Sequence, residues 1–258
     1  LTRSGIIYSR GGQKLGKKGQ SRHLKRYAAS PALKLPRKSM VWTLKPAPGP
    51  HPGEASLPLR LLLRDYLALA RTAKEVDKIL FGRQVLIDGV VRRDPRFPIG
   101  LMDVVQMQAL SRSYRILLDG RGRLALHEIP QTEASFKLCK VAHKVIIRGK
   151  KVQLTFHDGK TLVGDFQDYK PRDVVKLAFP ELKVLERLPF EEGALALVIG
   201  GKNVGKIGKI VEIKLIQGTQ PNIVTLQALD SSNFQAPEDY VFVVGKEKSL
   251  ISMLEEAP

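Results

Sequence analysis

Charge in this chain is segregated. The first fifty residues hold twelve Lys or Arg and no Asp or Glu, so one fifth of the 258 residues carries two thirds of the net charge of +18. The large apolar residues of that stretch, Leu15, Leu24, Leu33, Leu35 and Trp42, are scattered. Such a segment does not bury enough surface of its own to offset its ordering entropy, so it is expected to be extended when alone and to order on something anionic. With 43% hydrophobic and 26% charged residues the whole chain is nevertheless globular in composition, long enough for two or three modules. No run approaches the ~18 apolar residues of a membrane span. The basic start lacks the apolar core of a secretory signal and the sustained apolar face of an amphipathic membrane helix, so neither export nor a membrane partner is expected. The single cysteine, Cys139, excludes a disulfide framework and a multi-thiolate zinc site; it reads as a small buried residue in a reducing compartment. A polyanion remains, and nucleic acid fits best.

Within the basic segment, Lys14, Lys17, Lys18, Arg22, Lys25, Arg26, Arg37 and Lys38 sit among glycines and small residues that let backbone approach phosphates closely. His23, Tyr27 and Trp42 add planar rings suited either to stacking on unpaired bases or to packing inward. The run from Pro46 to Pro58 has five prolines and two glycines and reads as a stiff connector marking the first boundary. Beyond it, Leu59, Leu62, Leu63, Tyr66, Leu67 and Ala70 share one helical face. Thr72 and Glu75 have the spacing of a capping box opening a second helix, whose outer face carries Lys74 and Lys78. Val85–Ile87 and Val90–Val91 around Asp88-Gly89 form a tight hairpin, flanked by Arg83, Arg92 and Arg93. From about Tyr114 the period switches to short strands with frequent turns. A second β unit begins near Gly193, with the Gly-rich loop 200–206 carrying Lys202 and Lys206, and reads as a small SH3-like barrel.

The chemistry of catalysis is not signalled. Gly200, Gly205 and Lys206 fit most of a phosphate-binding P-loop, but Ile207 stands where a hydroxyl must ligate magnesium, and IGKIVEI reads as a strand where a helix is required. The five histidines lack metal-ligand spacing, and no nucleophile elbow occurs. Asp88, Asp94, Asp103, Asp158 and Asp165 read as turn residues, with nothing to single one out. No catalytic residue, metal, cofactor or small-molecule substrate is therefore expected.

Four motifs in order give the chain a resemblance. KKGQSRHLKRYAASP, with His23 to Arg26 at its centre, RTAKEVDKILFGRQVLIDGVVRRDPRFPIGLMDVV, then GRLALHEI with KLCKV, and finally VIGGKNVGKIGKIVEI resemble the small-subunit ribosomal protein family of archaea and eukaryotes numbered four with the suffix e. The match spans nearly the whole chain apart from residues 1–10 and is loose over 34–40; without the longer basic tail of eukaryotic members it resembles archaeal ones. The resemblance implies an α+β protein with four parts: a basic extended tail and connector (1–55), an alpha-L RNA-binding module of helices and a hairpin (56–105), a β-rich middle domain (106–190) and a C-terminal SH3-like KOW barrel (191–258). It implies a cytoplasmic, non-catalytic constituent of the small ribosomal subunit, with ribosomal RNA and neighbouring ribosomal proteins as partners. Carried over by position, the RNA-facing residues are Arg22, His23, Lys25 and Arg26; Lys78, Arg83, Arg92 and Arg93; and Lys202, Asn203 and Lys206. Two other functions stay open on the residues alone: a chain accessory to RNA modification, and a KOW-type transcription factor.

Overall fold

Period-two apolar alternation governs most of the chain, and the computed structural model, which describes residues 23–228 and 231–253, arranges it as three five-stranded antiparallel sheets with few helices. The first sheet has the order Val90–Val91, Val85–Ile87, Val104–Met107, Arg112–Leu118, Leu124–Ile129. The middle sheet runs Thr161–Gly164, Val152–Phe156, Phe136–Ile146, Val174–Ala178, Lys183–Leu188. The terminal sheet runs Asn233–Pro237, Ile223–Ala228, Ile207–Lys214, Leu195–Val198, Val241–Gly245. No described helix is long and apolar enough to cross a membrane.

Strands buried on both faces, Arg112–Leu118 and Phe136–Ile146 among them, join the sheets into one body. In Arg112–Leu118, Ile116 enters a core shared with the helices while Leu117 enters a second core shared with the terminal sheet. In Phe136–Ile146, Leu138 enters that second core and Cys139 the interior of the middle sheet. Adjacent residues of a strand point to opposite faces, so a strand apolar at successive positions has to be covered twice.

Local signals emerge as the sequence has them. Thr72 and Glu75 close a reciprocal capping box on the helix Ala73–Phe81. Asp88 and Gly89 both take positive φ, 51° and 74°, the combination that matches a two-residue turn to strand twist. Ile207 opens a strand rather than a helix, as the P-loop argument requires.

Four expectations are corrected. The basic segment is not a free tail over its described part: Ala29, Leu33 and Leu35 are buried in the first core with Leu61, Val76 and Leu80. Its apolar residues are too few to make a core alone but enough to complete one supplied by the helices. The Pro-rich connector is likewise docked, Ala47 N–H donating to the Arg96 carbonyl at 2.8 Å and His51 lying buried, so it is no boundary. A cut at 105 would divide the first sheet, whose strands run on to Ile129. The first helix is short, α-helical over Leu59–Leu61 and π-helical over Leu62–Tyr66, because Leu59, Leu61, Leu62 and Leu63 are all buried and a single amphipathic face does not serve them.

Candidate nucleic-acid interface

Cations among the described residues fall into two populations, separated by whether the fold itself takes them up, through carboxylates, backbone carbonyls or rings, or leaves them exposed. Lys25, Lys38, Lys74, Lys78, Arg83, Arg93, Lys202 and Lys206 are exposed, and none makes an ion pair with a described carboxylate. Lys25 lies on the two-residue strand Leu24–Lys25, opposite Trp42. Lys74 and Lys78 lie on the capped helix, and Arg83 follows it with φ 57°. Lys206 sits 5.6 Å from the Phe234 ring centroid. Exposed charges of this kind retain their field for a polyanion.

Other expected contacts are absorbed by the fold. Arg26 is buried at 3% exposure and bonds to Asp65 at 3.0 Å and Ser39 at 2.6 Å, so it is a structural residue rather than an RNA-facing one. Arg37 donates to the carbonyls of Ala29 and Ser30 at 2.5 and 2.9 Å, pinning the turn around them. The half-buried Arg92 stacks its guanidinium over Phe97 at 4.6 Å. Asn203 donates to the Gln235 carbonyl at 3.0 Å, which shapes its own loop. His23 is exposed, with its ring 5.7 Å from that of Trp42. Lys14, Lys17, Lys18 and Arg22 lie outside the described residues.

The fold draws the described part of the basic segment toward the Gly-rich loop. Tyr66 Oη accepts from Lys34 N–H at 2.8 Å, and Leu124 N–H donates to the Ala32 carbonyl at 2.8 Å. The turn 119–122 next to Leu124 then receives the Gly-rich loop so closely that a Cβ on Gly205 would stand 2.7 Å from the Asp119 carbonyl oxygen. The basic segment and the loop of Lys202 thus occupy adjoining elements.

The second population is internal, and the sequence did not announce it. Lys137, fully buried, bonds through Nζ to Asp88 at 3.0 Å, Asp103 at 2.5 Å and Asp158 at 2.9 Å. Lys160 adds bonds to Asp88 at 2.6 Å, and His51 Nε2 donates to Asp103 at 2.9 Å. His51 fits only because Gly100 lacks a Cβ, which would come 2.3 Å from its ring. Burial alone would raise Asp103 and lower Lys137, but their mutual attraction wins: the carboxyl is held well below the usual range and the ammonium well above its own. Asp158, similarly opposed by burial, is held at about 2 by Lys137, His157 and Lys160. Three of the aspartates assigned to turns therefore form one buried ionic knot. Their carboxylates are remote in sequence, so no spacing rule marks them.

Cys139, His157 and Asp158 also place potential ligand atoms within 4.8 Å of one another. The lone pairs are committed: His157 Nδ1 accepts from Lys140 N–H at 3.2 Å, which leaves Nε2 protonated toward the Leu101 carbonyl at 3.4 Å, and Lys137 holds Asp158. Burial pushes the thiol of Cys139 up, away from the thiolate a metal needs. A further exposed cation cluster, beyond those the sequence motifs indicate, is Arg148, Lys150 and Lys151 at the tip of the hairpin joining Phe136–Ile146 to Val152–Phe156, none of them ion-paired to a described carboxylate. The run RGKK was its signal.

With this geometry in hand, comparison with known proteins is specific. A family model described as "Ribosomal family S4e" matches residues 110–184, and one described as "RS4NT (NUC023) domain" matches residues 18–54. Small ribosomal subunit protein eS4 of Methanothermobacter thermautotrophicus is 44% identical over 232 residues, covering 90% of this chain and 96% of that protein. The protein of the same name from Methanocaldococcus jannaschii is 43% identical over 247 residues, 93% of this chain and 100% of its own. The crystal structure of 30S ribosomal protein S4e from Thermoplasma acidophilum superposes with a TM-score of 0.66 at 31% identity, covering 76% of this chain and 99% of that one.

Proposed function

Because this chain belongs to the ribosomal protein S4e family, we propose that it is a structural constituent of the small ribosomal subunit, held there by binding ribosomal RNA. Its place is the cytoplasm, within that particle, and its role is architectural rather than catalytic. The observation that carries the RNA side of this reading is the partition of cations. Asp65 and Asp77 bond to Arg26 and Arg60, Glu75 accepts from the Arg71 and Thr72 amides, and Lys25, Lys38, Lys74 and Lys78 are left exposed without an ion pair to a described carboxylate.

In this reading the helix Ala73–Phe81 with the hairpin Val85–Val91 acts as an alpha-L module, presenting Lys74, Lys78, Arg83 and Arg93 to folded RNA. The sheet from Leu195 to Gly245 acts as a KOW barrel presenting Lys202 and Lys206. Phosphate contacts position without reading sequence, so specificity comes from RNA shape and from the fixed spacing of these groups on one rigid body. Neighbouring ribosomal proteins are the other expected partners.

The test combines location with salt dependence. The chain should sediment with small subunits, and Lys74→Ala with Lys78→Ala should lower the slope of log affinity against log salt for ribosomal RNA by about 1.5 to 2, with thermal stability unchanged. A chain absent from particles, or a slope indifferent to both changes, would overturn the reading. Co-purification with RNA polymerase instead would favour the transcription-factor alternative.

A further inference from the structure

An aromatic and apolar patch stands exposed on the N-terminal element, where a soluble protein would ordinarily cover it. Tyr27 is 80% exposed, Val41 65%, Met40 57% and Trp42 55%. All four lie within one small unit: strand Leu24–Lys25 pairs with Trp42–Thr43, and Tyr27 sits on the turn Arg26–Ala28 that follows. A cleft of about 360 Å³ opens beside Tyr27, Met40 and Val41, lined also by Lys25, Arg37, Lys38 and Ser39, and Trp42 stands next to it as the cross-strand partner of Lys25. Grouped exposed apolar side chains rimmed by polar ones mark an interaction site.

The patch is also rigid from below. Arg26 N–H donates to the Val41 carbonyl at 2.8 Å, and the buried Arg26 guanidinium ties both Ser39 and Asp65. Arg37 clamps the carbonyls of Ala29 and Ser30. Rings held on a fixed backbone lose little entropy on stacking, which is what a preformed platform requires.

The rim selects the occupant. Lys25 and Lys38 border the cleft, make no ion pair with a described carboxylate, and belong to a fifty-residue stretch without a single Asp or Glu. A partner with flat apolar faces joined by an anionic backbone satisfies both the rings and the lysines. Duplex RNA hides its base faces; an unpaired strand offers them.

We propose that Tyr27 and Trp42 form a stacking platform for unpaired bases of RNA, with Lys25 and Lys38 gripping the flanking phosphates. This inference rests on the RNA-binding reading above and adds to it a preference for single-stranded segments at this one element.

Trp42 is the only tryptophan of the chain, so its emission reports on the patch alone. The full chain is titrated with an oligoadenylate strand and, separately, with an RNA duplex of equal charge, while anisotropy of a label on the RNA reports binding independently. The single strand should quench Trp42 to saturation and the duplex should bind with its emission unchanged. Tyr27→Ala, at so exposed a position, should leave folding intact and weaken single-strand binding roughly tenfold with duplex affinity unaltered. In the free chain, acrylamide should quench Trp42 readily.

Single-strand binding without quenching would overturn the platform and leave the charge-based RNA reading standing. Equal quenching by both RNAs would overturn the preference for unpaired bases. Trp42 shielded from acrylamide until residues 1–22 are removed would show that the chain's own N-terminal segment occupies the patch, and would also overturn it. Failure of either RNA to bind even at low salt would overturn the underlying functional reading itself.

Discussion

Lys25 and Lys137 have the same side chain and opposite employment. Lys25 stands in solvent beside Lys38, with no described carboxylate within ion-pair distance, whereas Lys137 is surrounded by Asp88, Asp103 and Asp158 with nothing left to offer a ligand. Lys140 belongs with Lys137: its ammonium donates to the carbonyls of Asp239 and Val241 at 2.9 and 2.7 Å, fastening the middle sheet to the terminal one. Burial lowers Lys140 to about 8, since carbonyl dipoles compensate desolvation less fully than the carboxylates around Lys137 do. A net charge of +18 thus points to a polyanionic partner but not to the lysines that would meet it; the fold decides, by choosing which cations it takes up internally.

The comparison breaks most sharply at the buried end. Lys137→Met removes the ammonium shared by Asp88, Asp103 and Asp158 and should destabilise the fold by about 3–5 kcal/mol in urea unfolding, since like charges are left together out of water. A loss below about 1 kcal/mol would show that the knot is not an energetic centre.

Acid should dismantle the same region in two stages. Burial and the neighbouring Lys137 depress His157 from 6.5 to about 4, so between those values the unfolded chain binds more protons and stability falls as pH falls. The cost is about 2–3 kcal/mol across that window. Asp158, held at about 2 against an ordinary 3.8, contributes stability that is present above pH 3.8 and lost as pH drops through 2. Denaturant midpoints between pH 7 and 4 should show the first slope, and His157→Gln should flatten it.

The smallest effects discriminate most finely, because they fall on adjacent residues. Arg26→Ala should cost about 1.5–3 kcal/mol of stability by removing the buried guanidinium's bonds to Ser39 and Asp65, the latter then held by Arg64 alone. Lys25→Ala should change stability by no more than about 0.5 kcal/mol and lower the salt slope of RNA binding by roughly one. Reversed outcomes at this pair would invert the assignment of both.

Local rules were legible wherever one segment sufficed. The capping box of Thr72 and Glu75, the Asp88-Gly89 hairpin and the strands Val152–Phe156 and Val174–Ala178 all rest on side chains within a few residues of each other. The strand Phe136–Ile146 is visible in the sequence only over its last residues, because Lys137 and Lys140 interrupt the apolar pattern and ordinarily mark a surface. The basic segment looks unfolded in sequence for a related reason: Leu33 and Leu35 cannot make a core alone, yet they complete one built by residues 57–80.

From sequence alone came the excess of cations and its concentration in the first fifty residues, the periodicity of the sheets, the resemblance by motif and hence the class of partner. Tertiary structure alone decided which cations remain available. Arg26 meets Asp65 across 39 residues, and Lys137 meets Asp88 across 49, pairings that no local spacing encodes. Charge is a property of the residue, but its field outside the molecule depends on whatever opposite charge the fold brings within a few ångströms.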